Sequence, residues 1–271
     1  MGRAVEDNLP FRMKVLLVAT LAVAAVAVVV MLPRIPQPPS YHNFADRRTL
    51  LGIPNTLDVV SNAGFAAAGV LGLLFLARRR ETGPGSPFLE GWEWRAFAVL
   101  YAAVGLTALG SVYYHLKPNN GTLLWDRLPM AVVFMSLLSL IIGERISMRA
   151  GRGLFLPLLA AGVASVLYWR YTEAIGKGDV RFYGLAQYLP VLLIPIILLL
   201  FPARYTRSAD LVVALSWYAA AKVCEVLDER VFEATKLVSG HTLKHVAAAL
   251  APLWLLRMIS LRRPLAWPDQ A

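Results

Sequence analysis

Eight apolar stretches recur along the chain, near residues 15–32, 57–77, 95–115, 124–143, 153–169, 185–202, 209–226 and 240–258. Each runs roughly 17–22 residues, the length an α-helix needs to cross a hydrocarbon core. The polar positions fall between the blocks rather than along one face of each, so the solvent these segments suit is a bilayer. The seventh block is the weakest, because Lys222, Glu225, Asp228, Glu229 and Arg230 crowd its end. Arg12 and Lys14 precede the first block as in a signal peptide. That block is long for such a peptide, and MLPRIPQPP offers no small-x-small cleavage pattern, so it reads as a retained anchor. RIPQPPS, residues 34–40, cannot be helical throughout and predicts an extended spacer. The expected architecture is an all-α integral membrane protein, a seven-transmembrane-helix core with one extra N-terminal transmembrane helix. Its divisions are residues 1–40 for anchor and linker, 41–260 for the membrane domain and 261–271 for a tail.

Composition agrees with the pattern. Hydrophobic residues make up 58% and charged residues 16% of the chain, and the mean hydropathy is +0.57. A soluble domain of this length needs more charge to cover its surface. The single cysteine, Cys224, excludes an internal disulfide and a Cys-based zinc site. A net charge of +10 invites a nucleic-acid reading. The Lys and Arg instead lie in short loops between apolar blocks, and neither a Gly-rich phosphate loop nor a basic amphipathic tract accompanies them. The expected surroundings are a bilayer, not nucleic acid. Threading eight spans puts the cluster Arg78–Arg80 on the face of the amino-terminus, which predicts that both termini are cytoplasmic.

The same threading brings polar groups to one depth on the other face. The chain has four histidines, His42, His115, His241 and His245. His115 ends the third block, His241 and His245 begin the eighth, and Asp58 and Asp126 open the second and fourth. In GHTLKH the two histidines are four apart and share one helix face, the spacing by which a helix gives two imidazoles to one metal. A third ligand from another segment leaves a fourth tetrahedral position open, the mark of a catalytic zinc site. His115 is the remaining intramembrane histidine, and Ser111, one turn before it, faces the same centre. The competing readings are histidines hydrated at the interface, haem ligation with a second helix, Ser111 bonded back to its own helix, and Asp126 as a helix cap.

SVYYH, with Asp126 eleven residues after His115, then Pro129, then a carboxy-terminal HxxxH helix, resembles the alkaline ceramidase family. That family belongs to a superfamily of seven-helix membrane hydrolases that also holds the adiponectin-receptor group. IPNTLDVVSN is similar to the stretch that enters the family's first core helix, and the likeness covers about residues 41–258. The resemblance implies a zinc held by His115, His241 and His245, with Ser111 and Asp126 beside its water. It implies hydrolysis of the amide of ceramide or another N-acyl lipid, with Asp126 moving the proton and Ser111 orienting water or oxyanion. It further implies a calcium site in YHNFADRRTLLGIPN, where Asn43, Asp46 and Asn55 are the candidate ligands although acids are few. Tyr113, Tyr114, Trp125, Tyr168, Trp169 and Trp217 read as interfacial belt residues or as lining of a lipid path. A receptor-like zinc protein, a lipid esterase or phosphoesterase, and a haem carrier are the alternatives in function.

The topology predicts that the histidine site faces the periplasm or lumen. With Cys224 replaced, a cysteine introduced at Asn119 should react with an impermeant thiol reagent in intact cells, and one at Gly83 should not. The opposite labelling would invert the orientation.

Overall fold

The computed structural model describes residues 9–265, so the segments 1–8 and 266–271 of the expected anchor and tail lie outside the described residues. Each apolar block becomes a helix whose ends are fixed by local chemistry. Helix α1 spans Phe11–Met31, α2 Thr56–Val60, α3 Ala63–Arg78, α4 Gly91–Leu116 and α5 Asn120–Arg145. Then come α6 at Met148–Ala174, α7 at Arg181–Leu200, α8 at Ala209–Val226, α9 at Asp228–Thr235 and α10 at Gly240–Leu261. Among the described residues there is no strand, only two isolated β-bridges. Seven spans among the described residues are long and apolar enough to cross a membrane, counting α2 and α3 as one. The block expected to be weakest, α8, forms a helix of 18 residues but is not among those seven.

Side chains satisfy the orphan backbone groups at several starts. Glu90 and Glu93 form a capping box on α4, as do Asn119 and Thr122 on α5. Ser147 caps α6, and Ser239 caps α10. Since α5 is capped at Asn119, Asp126 stands inside the helix, and the reading of Asp126 as its cap is corrected. The break between α2 and α3 is also local in cause: the Asn62 amide and the Ser61 hydroxyl both donate to the Asp58 carbonyl, at 2.7 and 3.1 Å.

Helix α4 packs between α3 and α5, α5 also meets α6 and α7, and α10 lies against α3 and α8. Glycine permits the closest crossings, where a side chain would hold the backbones apart. A Cβ on Gly69 of α3 would fall 2.6 Å from the backbone of Gly105 on α4. A Cβ on Gly110 of α4 would strike the Trp125 carbonyl of α5. Pro129, four residues on, has no N–H to give that carbonyl, so the crossing falls where the α5 ladder is already open.

The extra helix α1 runs along α7. Arg181 pairs with Asp179 at 2.8 Å and donates to the carbonyls of Val29 and Leu32 at the end of α1. The linker is extended at Leu32 and Pro38, as expected, but it is docked rather than a free spacer. The Ile35 carbonyl accepts from Val180 N at 2.9 Å, and Gln37 accepts from the buried Arg127 at 2.5 Å. At the end of the bundle opposite the histidines, Arg262 reaches Glu144 at 3.2 Å and stacks 4.0 Å from the Tyr205 ring centre.

Gly69→Ala should therefore lower the melting temperature of the protein in detergent by several degrees, since overpacking a tight contact typically costs about 1–3 kcal/mol. Gly153→Ala, whose Cβ would meet nothing within 4 Å, should leave it unchanged or raise it. Equal melting points for the two variants would show that the α3–α4 crossing can relax.

Candidate metal centre

His115 lies on the last turn of α4, and His241 and His245 lie on the first two turns of α10. One nitrogen of each can be chosen so that all lie within 4.8 Å of one another. The three ring centres form a triangle with sides of 4.9 Å. All three residues are buried, at 1%, 7% and 4% exposure. Among the described residues this is the one group of three or more His, Cys, Asp or Glu side chains close enough to share an ion. In a tetrahedral zinc site the ligand nitrogens stand about 3.3 Å apart, so a modest contraction closes the cluster on an ion.

The surroundings fit an ion bound by imidazole nitrogens. His115 Nδ1 is buried with no hydrogen-bond partner, an orphan that coordination would satisfy. His245 Nδ1 lies 2.9 Å from Ser61 Oγ and 3.1 Å from the Asp58 carbonyl. Donation to that carbonyl fixes the tautomer and leaves Nε2 with a lone pair for a metal. The break between α2 and α3 supplies this partner. Asn55, at the start of α2, donates to the His115 carbonyl at 2.8 Å. Asp58 accepts the Thr242 hydroxyl at 2.6 Å and thereby ties α2 to the ligand turn of α10.

A short loop closes the site from outside. Asp228, at the start of α9, accepts from His241 N at 2.7 Å and from Ala45 N at 3.0 Å. This bridge holds Phe44 against the rings of His115 and His241, each at 4.6 Å between centres. Burial lowers the pKa of His42 below its usual value; its nitrogens meet Tyr114 Oη at 2.9 Å and Asn120 Oδ1 at 3.0 Å, away from the cluster.

Through His245 the cluster meets a cavity of about 330 Å³ walled by α4, α5, α7, α8 and α10. Ser111, Asp126 and His245 line its polar end, and Val104, Leu137, Ile194 and Leu255 line the apolar remainder. The Ser111 hydroxyl faces the Asp126 carboxylate across the α4–α5 crossing that Gly110 permits. Lys222, Glu225 and Lys244 complete the polar wall. Between α7 and α8 the closure is made by side chains, with Gln187 donating to Tyr218 at 2.9 Å and Lys222 above the Tyr188 ring.

Several expectations need correction. Calcium gains no support: Arg48 hydrogen-bonds both oxygens of Asp46 and holds its carboxyl below the usual range, while Asn55 serves the α4 end. Asn43 caps the 3₁₀ turn Pro39–His42 through its backbone. None of the six aromatics proposed for a lipid path lines the cavity; Tyr41, Tyr183, Tyr188 and Tyr218 do. Sequence reasoning missed Ser61, Phe44 and Lys244. Ser61 was legible as a polar interruption of the second block, whereas Phe44 carried no signal.

The purified protein should carry about one metal ion per chain by elemental analysis. His115→Ala, His241→Ala or His245→Ala should each remove most of it, and His42→Ala should not. Full retention in His241→Ala would break the ligand assignment.

No model of a known protein family and no curated protein matches the chain, so the functional reading rests on the site itself.

Proposed function

We propose that the protein is a zinc-dependent intramembrane hydrolase of the alkaline ceramidase type, cleaving the amide of ceramide or a related N-acyl lipid. One observation carries the reading: three buried imidazoles from two helices converge beside a carboxylate and a hydroxyl at the end of an apolar cavity. Imidazole donors alone suit zinc better than magnesium or calcium, which prefer oxygen. When bound, zinc supplies an acidified water and a Lewis acid for a carbonyl.

The chain's own groups supply the rest. Asp126 accepts the proton from the attacking water and delivers it to the departing amine, so that amide and water become carboxylic acid and amine. Ser111, facing that carboxylate, orients it towards the reacting bond. The apolar walls hold acyl chains, and the hydroxyls of Tyr41 and Tyr183 add polar groups to the lining. The loop bearing Phe44 keeps bulk water from the imidazoles. In this reading the site opens towards the periplasm or lumen, as the loop charges predict.

The test is fatty-acid release by zinc-loaded protein from a panel of ceramide, other N-acyl amides, esters and phosphoesters. Release from amides supports the proposal; release confined to esters or phosphoesters replaces it. Zinc binding with no release from any member would make the protein receptor-like. Asp126→Asn should keep zinc and fold yet lose about 10²–10⁴-fold in amide hydrolysis. Ser111→Ala should lose less. An Asp126→Asn protein that binds zinc and cleaves at the wild-type rate would remove the proton-transfer role.

A further inference from the structure

One charged side chain stands against the histidines without a part in that scheme. Lys244 lies between the two histidines of α10, with its Nζ 2.9 Å from His241 Nε2 and 3.5 Å from Nδ1. The same ammonium reaches Glu225 Oε1 at 3.3 Å, and Glu225 is shared with Lys222. All three line the cavity beside Asp126 and Arg127.

An ammonium donates hydrogen bonds and accepts none, so its contact with a ring nitrogen uses that nitrogen's lone pair. A metal needs the same lone pair. Loading the site through the nitrogen that faces Lys244 therefore ends the contact and frees an N–H donor. Zinc stands about 2.0–2.1 Å from a ligand nitrogen, so Nζ begins within about 6 Å of the ion whichever ring nitrogen serves. The basic residues of the lining are Arg127, Lys222 and Lys244, against the acidic Asp126 and Glu225. A divalent ion adds to that positive excess inside a largely apolar cavity. Like charges at this range call for an anion between them.

We infer that Lys244 is a binding residue for a negatively charged oxygen next to the metal. The loaded protein holds a long-chain carboxylate there, head between the ion and Lys244, tail along the apolar wall. The inference takes only the metal from the hydrolase reading; the carboxylate is also the acid that amide cleavage would release. A neutral lipid of equal length lacks the charge to fill the position.

The test compares oleate with oleyl alcohol on the zinc-loaded full chain in detergent, by calorimetric titration and by zinc content. Wild type should bind oleate at least about tenfold more tightly than the alcohol, the worth of one charge-assisted hydrogen bond. Lys244→Met should keep its zinc, lose that preference and leave the alcohol's affinity unchanged. Lys244→Arg, which keeps a cation, should recover most of it. Wild type binding both ligands equally would overturn the inference, and that comparison needs no variant to fold. So would Lys244→Met binding oleate like wild type, or losing its zinc, which would make Lys244 a support of the metal. Oleate held through Lys244 without cleavage of any lipid would remove the hydrolase alone; amide cleavage with no dependence of oleate on Lys244 would remove this inference alone.

Discussion

An imidazole nitrogen buried without a partner costs roughly 1–3 kcal/mol, and this bundle brings one nitrogen from each of His115, His241 and His245 within 4.8 Å of one another. The irregularities near that cluster answer to it. Helix α4 stops just after His115, α10 starts just before His241, and the chain breaks between α2 and α3 where Ser61 and the Asp58 carbonyl meet His245. The break between α8 and α9 sets Asp228 under the backbone of His241. Gly240 allows it, since a Cβ there would strike the Cys224 carbonyl and the Asp228 backbone.

The two ends of the bundle treat charge differently. Around Arg262 the buried cation has Glu144, Glu93 and the faces of Tyr205 and Phe97, an arrangement filled from within the chain. Around the histidines the groups are arranged about an open volume. Arg127 combines the two patterns: it lines the cavity, yet it is stacked against Trp169 and Tyr183 and held by Gln37 of the linker. The amino-terminal segment thus reaches the wall of the cavity, with Tyr41 in its lining.

The spans were legible because hydrocarbon imposes length and apolarity on each helix separately, and those quantities are local in sequence. The depth shared by His115, His241 and His245 followed from counting crossings. Their meeting at one lateral position required packing, and the gap at Gly110 that brings Ser111 to Asp126 is a property of two helices together. The cap at Asn119 shows the limit of reading polar residues at block edges, since the helix begins six residues before the Asp126 that seemed to start it. Asp46 shows another: an acid in a candidate calcium loop was claimed by its neighbour Arg48. The tyrosines of the cavity lie on α7, α8 and the 3₁₀ turn Pro39–His42, and nothing in their spacing separates them from a belt at the interface.

The composition of α8 bears on how the protein is made. Asp210 near its start is matched by Arg207, by Trp254 and by Arg257, and Glu225 near its end is matched by Lys222 and Lys244. Trp254, Arg257 and Lys244 all belong to α10, which leaves the ribosome after α8. Until then both acids of α8 would face lipid short of partners, where charge is expensive. Helix α8 therefore has reason to wait at the translocon and enter the bilayer with α10 as a hairpin. The three-histidine cluster, which takes two of its imidazoles from α10, would then close in the same step that gives the acids of α8 their partners.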